Sequence, residues 1–161
     1  QIHGAVGINS KGAFFVAYRD DRDKDKNYAI RVRGWDENLQ EIITDAEVYS
    51  NAHNNSQPSV CVDDSNNAVV GFYDSNMTNY VKKDGKEVYD KVAGDVLLAS
   101  VSGTTIGKAV SPTRLVWNNQ KQPSVACTGD GHVVVVYADD ADNNGAYETY
   151  VRGFNSIADI K

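Results

Sequence analysis

Apolar positions along this chain come in short runs cut by Asp, Asn, Ser and Gly. GAFFVAY (12–18), PSVCV (58–62), AVVGFY (68–73), PSVAC (123–127) and VVVVYA (133–138) are rich in β-branched and aromatic residues. YETYVRGF (147–154) alternates between apolar and polar. Runs of this length and composition, bounded by turn residues, predict β-strands. No stretch holds a 3.6-residue period over a helical length. The nearest, DKVAGDVLLASVSG (90–103), carries glycines and β-branched residues that favour a strand. Further strands are predicted in IITDAEVY (42–49), TRLVW (113–117) and, in outline, SIADI (156–160).

The strands recur as a set. QPSVCV (57–62) and QPSVAC (122–127) each lead through a polar turn into a β-branched run that ends on Tyr and Asp. GAVGINSKGAFFVAYRD (4–20) has the same layout. YRDDRDKDKNYAIRVRGW (18–35) aligns without a gap on YADDADNNGAYETYVRGF (137–154), with identities at Tyr, three Asp, a second Tyr, Val, Arg and Gly. Three units follow, at 1–56, 57–121 and a shortened 122–161, within a single all-β domain. Four short antiparallel strands per unit of about 50 residues is the pattern of a propeller blade. The expected fold is therefore β-propeller-like, with a β-trefoil as the alternative three-unit architecture. Rings have four to eight blades, so three blades imply closure by a second chain or membership of a longer protein.

Charge narrows the function. A net charge of −6 and a pI near 4.9 are wrong for a surface that neutralises nucleic-acid phosphates. No apolar run reaches the roughly 20 residues that span a bilayer. The chain opens on Gln1, which reads as a mature or excised product. Cys61 and Cys127 sit in equivalent strands of units two and three. One disulfide and two buried thiols are both compatible with that placement.

The chemistry-bearing motif is the acidic loop. Asp140, Asp142 and Asn144, followed by Gly145, have the D-x-D-x-N-G spacing in which alternate oxygens converge on one hard cation, Ca²⁺. Asp21, Asp23 and Asp25 repeat that spacing without the glycine. The competing reading is a solvated hairpin tip, where the same residues are favoured by turn geometry. Arg22, Lys24 and Lys26 could satisfy the first loop's carboxylates without metal, and unit two has no equivalent loop. Arg33 and Arg152 precede Gly and then Trp35 and Phe154. Each offers an anion or sugar contact, or an ion pair with its own unit's aspartates. Tyr28, Tyr147, Trp35 and Trp117, with Phe154 beside Arg152, offer faces for sugar stacking, or filling between sheets. His3, His53 and His132 have no metal spacing, and no nucleophile elbow or phosphate loop is present.

The line Q-P-S-V-A-x-x-x-D-G-x-V-V-V-V-Y-A-D-D-x-D-x-N-G at 122–145 resembles the tandem sialidase-like propeller repeats of large secreted bacterial surface proteins. Its acidic loop is similar to those of calcium-loaded integrin-like and fungal lectin propellers. The resemblance implies blades, Ca²⁺ ligands at Asp140, Asp142 and Asn144 and at Asp21, Asp23 and Asp25, and an extracellular role. The sialidase Asp-box is missing: Thr128-Gly129-Asp130-Gly131 keeps only its Asp-Gly turn. The leading expectation is a non-catalytic lectin-like or adhesive module that recognises glycans or a surface protein. It would act as a homo-oligomer or as part of a longer chain. A portion of a secreted glycoside hydrolase and a structural assembly subunit are the alternatives.

Overall fold

The computed structural model describes residues 2–22, 28–51, 54–83, 86–112, 120–140 and 146–160, with backbone alone at residues 2, 76–83 and 86–93. Among the described residues, three antiparallel sheets follow one another along the chain. The first holds β1 (Ile2–Ile8), β2 (Phe14–Asp20), β3 (Ala29–Trp35) and β4 (Glu41–Tyr49). The second holds β5 (Asn55–Val62), β6 (Asn67–Lys83), β7 (Lys86–Ser102) and β8 (Thr105–Ile106). The third holds β9 (Gln120–Cys127), β10 (Val133–Asp139) and β11 (Glu148–Phe154). Every sheet is an up-and-down meander in chain order, and the leading strands β1, β5 and β9 pack side by side. This is the blade arrangement of a propeller, and it decides against the trefoil.

Repetition extends to the backbone. The turns after the leading strands close with the same pair of bonds in each blade: Asn9 N to Ala13 O with Gly12 N to Asn9 O, and their counterparts at 63–67 and 128–132. The fourth turn residue is left-handed each time, at Gly12, Asn66 and Gly131, as a three-residue hairpin loop requires. The first residue's side chain caps the turn, with Asn9 Oδ1, Asp63 Oδ1 and Thr128 Oγ1 accepting from backbone N–H groups. Each leading strand also bulges, with positive φ at His3, Gln57 and Gln122.

Two cores lie between the blades. Phe15, Ala17, Ile30, Val32, Ile43 and Val48 of blade one meet Val60, Val62, Ala68, Val70, Phe72 and Leu97 of blade two. Cys61, Val69, Val96 and Leu98 on blade two's other face meet Val133, Val135 and Tyr137 of blade three. Blade two is thus buried on both faces, which is why AVVGF and VLLA read as unbroken apolar runs. Cys61 and Cys127 form a disulfide across the second core, with Cα atoms 5.5 Å apart.

The strand reading of 90–103 holds, within β7. The extra residues of unit two lengthen the β6–β7 hairpin, whose pairing runs on to Lys83 and Lys86. Its outer edge is the two-residue β8 together with a bridge from Leu98 to Val110, while 113–117 lie outside the described residues. SIADI is a 3₁₀ turn at Ile157–Asp159 rather than a strand. Ser156 Oγ caps it by accepting from Ala158 N, and Ile157 and Ile160, three apart, both turn into the second core.

Candidate functional site at the loop end of the blades

The second strands β2 and β10 end on buried aspartates, Asp20 and Asp139, and buried Asp74 holds the equivalent place within the longer β6. All three lie at the end of the molecule that carries the β2–β3 and β10–β11 loops. Burying a carboxylate is costly without donors, and each blade supplies different ones. Arg22 Nε donates to Asp20 at 2.6 Å. Tyr49 Oη and Asn51 Nδ2 donate to Asp74 at 3.1 and 2.6 Å. Gln120 Nε2 donates to Asp139 at 2.9 Å.

At blade one, charge is balanced locally. Arg22 bridges Asp20 to Asp45, which also accepts from Arg31 at 2.9 Å and from the Tyr18 hydroxyl. The Tyr18 bond, followed by the two arginines, holds the Asp45 carboxyl well below the usual range. Burial, reinforced by Asp45, pushes the Tyr18 phenol up to about 12.

At the junction of blades two and three, several carboxylates come together. Strand register places Asp95 opposite Asp74, with Asp139 and buried Asp140 across the junction. Burial pushes the Asp95 carboxyl up to about 7, against a Ser111 hydrogen bond and with help from Asp139 and Asp74. Burial also raises Asp139, opposed by the Gln120 bond and reinforced by Asp140. Asp95 Oδ2 and Asp139 Oδ1 are buried without a hydrogen-bond partner. Tyr49 and Tyr137 are both pushed up to about 12, chiefly by burial. The result is a floor rich in carboxylate acceptors. Over it lies a rim in which the Lys121 ammonium sits 3.4 Å from the Tyr147 ring centre, with Tyr147 itself 39% exposed. At blade one the equivalent Tyr28 carries the Arg19 guanidinium at 3.4 Å, and Arg19 also bonds Asn54.

The other predicted site residues are distributed as follows. Asp21 and Asp140 occupy matching positions just beyond β2 and β10. Asp23, Asp25, Asp142 and Asn144 fall outside the described residues. Among the described residues, no group of three or more His, Cys, Asp or Glu is gathered closely enough to hold a metal ion. Arg33 pairs with Glu41 of the neighbouring strand at 2.8 Å, not with Asp20. Trp35 stacks on Phe14 at 4.9 Å. Phe154 packs half-buried on the second core, with Arg152 at 5.8 Å. These four stand on the blade faces, away from the loop end. Asp95, Gln120 and Asn55 were not singled out from sequence. Only the recurring Asp of the second strands marked the place; register sets Asn55 and Asp95 opposite Asp74, and Gln120 opposite Asp139. At the opposite end, a cleft of about 330 Å³ lies between blades two and three, lined by Asp63, Asn67, Ser100, Ser102, Asp130 and Ser156 together with Ile157 and Ala158.

No family model matches the chain, and no curated protein does. Among solved structures, a fucose lectin from Kordia zhangzhouensis in complex with methyl-fucoside aligns at 10% identity with a TM-score of 0.49, covering 94% of this chain and 96% of that one.

Proposed function

We propose that the protein is a non-catalytic, lectin-like module that binds glycans at the loop end of its blades. The observation that carries this is the twofold recurrence of one arrangement. In blades one and three, a tyrosine at the entry to the third strand is backed by a cation and stands beside a buried strand-end aspartate. An aromatic face packs against sugar C–H groups, and carboxylate, amide and ammonium groups bond the hydroxyls. Two equivalent rims on one chain suit multivalent binding, in which modest single-site affinities combine.

The disulfide supports an extracellular setting, since such bonds persist in oxidising compartments. No helix among the described residues is long and apolar enough to cross a membrane. Ca²⁺ held by Asp140, Asp142 and Asn144 belongs to the same proposal. It would order the loop beside Tyr147 and set charge against the junction's carboxylates. Asp21, Asp23 and Asp25 form the weaker counterpart, because Arg22 already engages Asp20 and Asp45.

A glycan array, run beside a panel of chromogenic glycosides, tests the reading. Binding without turnover is expected, lost in a Tyr28→Ala/Tyr147→Ala variant that remains folded. Turnover, or array binding indifferent to both tyrosines, would reject it. For the metal, Ca²⁺ that binds the folded chain raises its Tm by mass action. An unchanged Tm at millimolar Ca²⁺ would end that part of the proposal.

A further inference from the structure

The two end faces of the three-blade arc present in the open the positions that the inner blades bury. Aligning turns and strand-end aspartates makes Val6 and Ile8 of blade one equivalent to Val60 and Val62 of blade two. Val60 and Val62 are 6% and 5% exposed against blade one, whereas Val6 and Ile8 are 68% and 69% exposed. At the other end, Val134 and Val151 of blade three are equivalent to Phe15 and Val32 of blade one. Phe15 and Val32 are fully buried, whereas Val134 and Val151 are 43% and 66% exposed. Outer-edge apolar surface of this kind marks an interface.

The two faces also match in hand. Inside the chain, each blade offers one side to the next: the Phe15 side of blade one meets the Ala68 side of blade two. The Val69 side of blade two, equivalent to the Phe15 side, meets the Val133 side of blade three. The remaining faces are the Val134 side of blade three and the Phe14 side of blade one, the two kinds that continue the series. We propose that a second copy of this chain covers both faces, each blade three packing on the other copy's blade one, in a two-fold ring of six blades. That number falls within the four to eight of closed propellers. Two identical contacts close the assembly, as two-fold symmetry demands. The exposed strand faces and their aggregation hazard disappear together. The inference is independent of what the loop end binds.

The internal disulfide supplies a sharp test. Cys61 on the far side of blade two reaches Cys127 on the near side of blade three. The same positions across the proposed junction are Ala126 and, on the other copy, Ile8. An Ala126→Cys/Ile8→Cys variant, oxidised, should give a covalent dimer on non-reducing gels that reductant splits. Sedimentation equilibrium of the unmodified chain should give twice its 17.6 kDa. Val134→Asp/Val151→Asp and Val6→Arg/Ile8→Arg should each halve that mass while circular dichroism stays that of the parent. A 17.6 kDa species at every concentration, a mass that climbs without limit, or a dimer that withstands both pairs of substitutions would overturn the ring. Should either charged variant fail to fold, the cysteine pair decides alone: no covalent dimer, no ring.

Discussion

Replacing Asp95 by Asn should stabilise the protein at neutral pH and leave it nearly unchanged in acid. Asp95 is fully buried at the blade two–three junction, facing Asp74 and Asp139, with Oδ2 unpartnered. Its carboxyl is raised from 3.8 to about 7, with burial the largest cause. The sign follows from proton binding. Below about pH 4 the group is protonated folded and unfolded, and contributes nothing. Between about 4 and 7 the unfolded chain is ionised while the folded one keeps its proton, so stability falls as pH rises. Above about 7 both are ionised and the full penalty stays, about 4 kcal/mol as a ceiling from about 1.4 kcal/mol per tenfold change in proton affinity. Asn mimics the protonated acid and does not titrate. Urea unfolding of both proteins in calcium-free buffer from pH 4.5 to 8 should show the variant's advantage growing by about 2–3 kcal/mol. An advantage that does not change with pH, or a parent that gains stability relative to the variant as pH rises, would refute the reasoning.

Three further outcomes are expected. Reducing the Cys61–Cys127 bond, which joins residues 66 apart in sequence, should cost roughly 4 kcal/mol of chain entropy and lower the Tm by about 10 °C; a scan with and without reductant that superposes would contradict it. Leu39 is 69% exposed at φ 61°, so Leu39→Gly should stabilise by roughly 0.5–1 kcal/mol, read as a shift in the urea midpoint, and a loss would count against the argument. In Gly34→Ala the new methyl would lie less than 3.0 Å from the fully buried Phe15 ring. A destabilisation of about 1–3 kcal/mol is expected, and an unchanged midpoint would show that the ring has room to move.

Much of the architecture was legible because it is written three times. The turns, the Pro-Ser-Val strands and the strand-end aspartates have local causes, and repetition raised each above chance. What failed were elements whose state depends on partners elsewhere. SIADI alternates like a strand, yet Ser156 capping and two isoleucines seeking one core made it a 3₁₀ turn. Arg33 looked matched to Asp20 because both recur, but strand register put Glu41 within reach first. Asp95 was invisible for a related reason: its chemistry arises only when a hairpin of two 17-residue strands sets it against Asp74 and the next blade supplies Asp139. Cysteine spacing alone left bond and thiols equally open, and face-to-face packing of β5 and β9 resolved them.

The proposed sugar-binding surface is the loop end of the blades and not the opposite end. Backbone amide shifts during titration with a panel of methyl glycosides test it most directly. A binding sugar should move the signals of Arg19, Tyr28, Lys121, Asp140 and Tyr147. Shifts confined to Asp63, Ser102, Asp130 and Ser156 around the far cleft, or no shifts with any sugar at saturating concentration, would contradict it.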